Sequence, residues 1–160
     1  KHPRGDVVSD LAAKTMKRDY GIFHVGIFHV ALKIALRRGS EVLFLRTSDS
    51  NSIDLPGGRI DNTEYLIPLE KIIAREVREE LGPQVKYRLG KPAFHLRVYF
   101  PKRKIYIFQA VYEAQYISGD IKISSEHSSY QWVNPTEYRF KKKDFADKEA
   151  YQVFHKYFSS

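Results

Sequence analysis

No cysteine occurs among the 160 residues. That excludes a disulfide scaffold, a cysteine-based zinc site and a thiol nucleophile, and it fits a reducing, cytoplasmic setting. No apolar run approaches the roughly 18 residues that a membrane span needs, and no signal peptide is visible in the stretch that begins at Lys1. No histidine pair has zinc-finger or HExxH spacing. Acidic residues are in deficit: 19 Asp plus Glu stand against 27 Lys plus Arg, a net charge of +8. A basic surplus suits a nucleic acid or any polyphosphate ligand, but the charges are dispersed. The compact run Lys141-Lys142-Lys143 is too short to define a nucleic-acid patch. Hydrophobic residues reach 42% and aromatics 14%, enough to bury a core, and the length fits one domain.

The polar stretch 1–20 reads as a tail or short helix, and 21–160 as a single folded domain. The segment Ile22-Phe23-His24-Val25 recurs as Ile27-Phe28-His29-Val30, an echo too short for a repeat architecture. Residues 29–37 and 41–46 are rich in aliphatics and flank Arg38-Gly39-Ser40, the pattern of a hairpin. Ile53-Asp54-Leu55 reads as a short strand ended by Pro56-Gly57-Gly58. Leu69, Ile73, Val77 and Leu81 recur every fourth residue after Pro68 and stop at Gly82-Pro83, which predicts a helix with one apolar stripe. Residues 85–89, 93–100 and 104–117 read as strands, the last two paired across Pro101-Lys102-Arg103. Tyr130 to Val133 is a further strand. Residues 144–158 form a closing helix that buries Phe145, Tyr151, Phe154 and Phe158. The pattern is mixed α+β.

Chemistry concentrates in Arg75-Glu76-Val77-Arg78-Glu79-Glu80. At about 100° per helical residue, Glu76, Glu79 and Glu80 share an arc of about 100° beside the apolar stripe. Clustered carboxylates repel one another, and burial raises their pKa values. A hard divalent cation such as Mg²⁺ or Mn²⁺ removes that cost, because it wants oxygen ligands. The alternative is a solvated charged face with i,i+4 pairs. Gly57-Gly58 upstream favours the cation, since paired glycines let backbone approach a ligand.

Gly58, Glu64 and the run from Arg75 to Gly82 resemble the Nudix box of the MutT-type hydrolases, G-x5-E-x7-R-E-U-x-E-E-x-G-U, where U is a bulky aliphatic. Two departures stand out. Ten residues separate Glu64 from Arg75 where the pattern has seven, so a three-residue insertion precedes Pro68, and Pro83 replaces the last aliphatic. Asp54-Leu55-Pro56-Gly57-Gly58 resembles the family's loop entry, and Glu126-His127 with Tyr130-Gln131-Trp132-Val133 resembles its late segment.

The resemblance implies an α/β/α sandwich with a mixed sheet between helices. It implies Mg²⁺- or Mn²⁺-dependent hydrolysis of a nucleoside diphosphate linked to a moiety X, with water attacking a metal-bridged phosphate. Carried over by position, Gly58, Glu76, Glu79 and Glu80 are metal-ligand candidates. Glu76, Glu79 and Glu126 are candidate catalytic groups, and Arg75 holds a glutamate in place. Tyr99 is a candidate substrate contact, because members acting on dinucleoside polyphosphates often carry a tyrosine at that distance from the box. The partner is then a nucleotide-derived small molecule, and a dimer is compatible with the sequence. The competing reading is a catalytically silent Nudix-fold module that binds nucleotide or RNA. An isomerase of the same fold would need a cysteine that this chain lacks.

Overall fold

The computed structural model describes residues 26–160; the expected tail, short helix and first copy of the echo lie outside the described residues. Among those described, seven strands form one mixed sheet and two α-helices cover its faces. The strands are β1 (His29–Arg38), β2 (Glu41–Thr47), β3 (Ile53–Asp54), β4 (Gly57–Arg59), β5 (Lys86–Phe100), β6 (Ile105–Ser118) and β7 (His127–Val133). The helices are α1 (Leu69–Leu81) and α2 (Lys148–Phe158). The main path runs β3-β2-β1-β6-β5, with β7 paired to β2 and β4 to β1. Only the β1–β6 pairing is parallel.

Alternation along β1 explains the sandwich. Leu32, Ile34 and Leu36 face one way and pack with Leu43, Leu45 and the α1 stripe of Ile73, Val77 and Leu81. Ala35 faces the other way, into a cluster that contains Phe44, Leu96, Val98 and Val111 beneath Phe154 and Phe158 of α2. Each helix therefore buries its apolar stripe against one face of the same sheet. Pro68 sits at the N-cap of α1, one residue ahead of the first turn, and Gly82 closes the helix by donating its N–H to the Arg78 carbonyl at 3.1 Å.

β5 corrects the expectation of separate strands at 85–89 and 93–100. It is one strand that passes through Pro92 with register shifts on both sides. Proline lacks a donor, so the ladder absorbs it as an irregularity at the sheet edge. The outward N–H groups of Arg97 and Tyr99 donate to Glu149 Oε2 at 2.9 Å and Asp147 Oδ2 at 3.0 Å, at the start of α2. The loop after β3 does not simply end a strand. Gly57 and Gly58 continue into β4, which pairs with β1 at Lys33 and Leu32. Since β2 pairs with the far end of the same edge of β1, at Arg37 and Arg38, the sheet splits between β4 and β2.

Candidate active site

A cleft of about 600 Å³ opens at this split, within the size range of small-molecule sites. Its charged end carries Lys33, Asp54, Gly57, Gly58, Arg75, Glu76, Glu79, Glu80, Glu126 and His127, and its other end is walled by Leu96, Val98, Phe100, Ile105 and Ile107 opposite Ala150 and Phe154 of α2.

The acids reach the cleft because α1 lies behind β4 and the intervening strand has almost no side chains. Gly57 has φ +124°, and a Cβ there would run into the Leu32 carbonyl. A Cβ on Gly58 would lie 2.5 Å from the Glu76 carboxyl. Glu80 crosses the same gap and accepts the Gly57 N–H at 2.7 Å. Glu76 and Glu80 are buried, whereas the Glu79 side chain is 57% exposed at the mouth.

Arg75 gathers the acids. Its Nε and Nη2 donate to Glu64 Oε1 and Oε2 at 2.5 and 2.9 Å, a bidentate clamp. Its Nη1 lies 2.9 Å from Glu76 Oε1 and 3.1 Å from Glu79 Oε2. Glu64 is therefore in place despite the insertion, because the extra residues loop outward: Tyr65 and Leu66 are 87% and 86% exposed. The sequence left the role of Glu64 open, since spacing alone cannot show which way an insertion bulges.

The protonation equilibria follow from these contacts. Burial pushes Glu80 up to about 7, against the pull of Lys33. Burial also raises Glu76, opposed by Arg75. Hydrogen bonding from Arg75 lowers Glu64, and the same bond holds Arg75 further into its charged form.

No three acidic or imidazole groups converge as a ready-made metal cage among the described residues. The carboxylates spend their oxygens on Arg75 and on the Gly57 N–H instead. The donor set nevertheless suits a hard divalent cation: three carboxylates and backbone carbonyls at one rim, with no nitrogen or sulfur ligand required. Glu126 precedes β7, is exposed, and lines the same cleft; its backbone carbonyl accepts from Ser48 N at 2.9 Å. Tyr99 is not brought to the cleft. Val98 and Phe100 line it, and the ring of Tyr99 packs instead on Tyr106 with centroids 4.7 Å apart.

Sequence reasoning passed over Lys33 and gave Asp54 no role beyond its motif. Lys33 Nζ donates to Asp54 Oδ2 at 2.9 Å, and His127 Nε2 lies 3.6 Å from the same oxygen. The available signal was a lone charge inside the apolar run Ala31-Leu32-Lys33-Ile34-Ala35-Leu36.

Comparison with known proteins agrees with this fold. The structure is similar to a MutT Nudix hydrolase from Burkholderia pseudomallei, with a TM-score of 0.65 at 19% identity over 82% of this chain and 98% of that one. It is also similar to a MutT protein from Methanosarcina mazei Go1, with a TM-score of 0.64 at 23% identity over 84% of this chain and 96% of that one. These likenesses define an α+β sandwich of the Nudix type. The family model for the Nudix domain matches residues 27–155, and the chain belongs to that family. In sequence it is 31% identical over 88 residues to the nucleoside triphosphatase NudI of Escherichia coli O81 (strain ED1a), covering 51% of this chain and 60% of that protein. The chain thus spans less than two thirds of that relative's length.

Proposed function

We propose that the protein is a divalent-metal-dependent pyrophosphohydrolase that cleaves a phosphoanhydride in a nucleoside diphosphate linked to a moiety X. The observation that supports this most directly is the acid rim: Glu76 and Glu80 reach past two glycines to the cleft, and Arg75 ties Glu64, Glu76 and Glu79 together. A module that only bound a polyanion would gain nothing from three acids lining its cleft. Glu76, Glu79, Glu80 and the Gly58 carbonyl would hold Mg²⁺ or Mn²⁺, which neutralises phosphate charge and lowers the pKa of bound water. Arg75 keeps the acids from swinging apart and does not itself touch substrate. Glu126, exposed at the cleft wall, accepts the proton of the attacking water. The apolar end seats the nucleoside or X. NudI is described as a nucleoside triphosphatase, and a nucleotide substrate is carried over to this chain as part of the proposal. A cytoplasmic setting fits such a substrate, and no helix among the described residues is long and apolar enough to cross a membrane.

The test is a hydrolysis screen with Mg²⁺ and Mn²⁺ over nucleoside triphosphates, oxidised dGTP, ADP-ribose, NADH, nucleotide sugars, dinucleoside polyphosphates and capped RNA. One class should turn over, and Glu79→Gln should lower kcat by more than about 100-fold. Nucleotide binding without turnover of any class would favour the silent module instead.

A further inference from the structure

Lys33 is a charge where the core has no use for one. It is 6% exposed, lies between Leu32 and Ile34, and lines the cleft from β1. Its Cα is in register with Gly57 on one side and Val111 on the other. That places it beside the glycine whose N–H holds Glu80. An ammonium has three donors. Among the described residues one of them is used, on Asp54 Oδ2 at 2.9 Å. Asp54 is fixed in turn: its Oδ1 accepts the Leu55 N–H at 2.8 Å, and His127 Nε2 stands 3.6 Å from Oδ2. His127 is 5% exposed, and its Nδ1 has no hydrogen-bond partner among the described residues.

Packing does not explain this set. A buried ion pair pays for desolvation, and apolar residues of similar volume commonly serve stability as well or better. A buried polar atom without a partner is uncommon in folded proteins and calls for a cause. Lys33 and His127 both line the same cleft, and the unused donors of Lys33 point to a hydrogen-bonding, anionic ligand. The acid rim repels such a ligand, and a fixed cation next to it supplies a foothold. Burial works against the charge on Lys33, but Asp54, with Glu80 and Glu76 beyond it, outweighs burial and keeps the lysine above its usual range.

We propose that Lys33 binds a phosphate oxygen of the substrate directly, beside the acid rim, and that Asp54 is a positioning residue that aims it. The proposal rests on the pyrophosphohydrolase reading. Lysine binds phosphate as a point charge and tolerates several orientations, which suits an anchor for a diphosphate whose X is variable.

The test measures binding of inorganic pyrophosphate in the presence of Mg²⁺ by calorimetry, using the full chain. Lys33→Met alone would leave the half-buried Asp54 carboxylate without its cation, so the informative variant is Lys33→Met with Asp54→Asn, which removes both charges together. The wild type should bind, and the double variant should bind at least 10-fold more weakly with an unchanged melting temperature. Asp54→Asn alone should give an intermediate loss, and Lys33→Arg should retain most of the affinity. A purely structural pair would move the melting temperature and leave the affinity of the folded fraction alone. Wild-type affinity in the double variant overturns the anchor, as does a wild type that fails to bind pyrophosphate. The hydrolysis screen separates the two ideas: turnover by the wild type with an unaffected double variant sinks the anchor alone, whereas absence of turnover across the screen sinks the hydrolase reading beneath it.

Discussion

At the scale of single residues, the cleft holds two buried carboxylates, Glu76 and Glu80, in surroundings that disfavour their charge. Glu80 shows the cost most clearly. Burial raises its carboxyl from the ordinary 4.5 to about 7, so the folded state prefers the protonated form. The stabilisation this gives is complete below about pH 4.5 and is lost as pH rises through 7, by up to about 1.4 kcal/mol for each pH unit crossed. In the presence of a chelator, the melting temperature should fall between pH 5.5 and 7.5, and Glu80→Gln should flatten that fall. At pH 7.5, Mg²⁺ or Mn²⁺ should restore stability to the wild type and not to Glu80→Gln, because a cation competes with the proton for the same oxygens. A melting profile that is flat in the wild type would show that Glu80 is not held under strain. Much of this was legible in the sequence: the three acids share one helical arc, and the glycine pair announces a close approach. Lys33 was not, because a lysine in an aliphatic strand looks the same whether it faces solvent, core or cleft.

At the scale of elements, periodicity carried furthest where one period ran unbroken. The fourfold spacing of Leu69, Ile73, Val77 and Leu81 gave α1 within a residue of its ends, and β1 and β2 followed from their aliphatic runs. The reading failed where backbone outvoted side chains. The sequence predicts separate strands at 85–89 and 93–100, yet β5 continues through Pro92 because β6 pairs with it on either side of the register shifts. Gly57-Gly58 suggested an end, yet the pair continues into β4, since Gly57 permits the φ and the closeness to β1 and Gly58 leaves room for the Glu76 carboxyl. The same logic bears on the insertion. Tyr65, Leu66 and Ile67 are largely exposed, while Glu64 keeps its bidentate bond to Arg75. Deleting residues 65–67 should therefore change stability by less than about 1 kcal/mol, since loop-length effects are shallow. Urea denaturation would measure it, and a larger loss would mean that the bulge carries part of the fold.

At the scale of the whole molecule, ligand and fold should be coupled, because the cleft sits where the sheet divides and both helices contribute to its walls. A nucleotide with Mg²⁺ at about 100 times its Kd should stabilise the protein by about 2.7 kcal/mol, read as a rise in melting temperature that neither component alone reproduces. The first turn of α2 bears on another property of the molecule. Asp147 caps its own helix through Oδ1, which accepts from Ala150 N, while Oδ2 takes the Tyr99 N–H; Glu149 takes the N–H of Arg97. Those donors belong to the outer border of the sheet, where the strand of another chain would otherwise find them. Two carboxylates that look like helix chemistry thereby occupy two donors on which an incoming strand would have to pair, and the helix that supplies them lies at the opposite end of the sequence from the strand that begins the sheet.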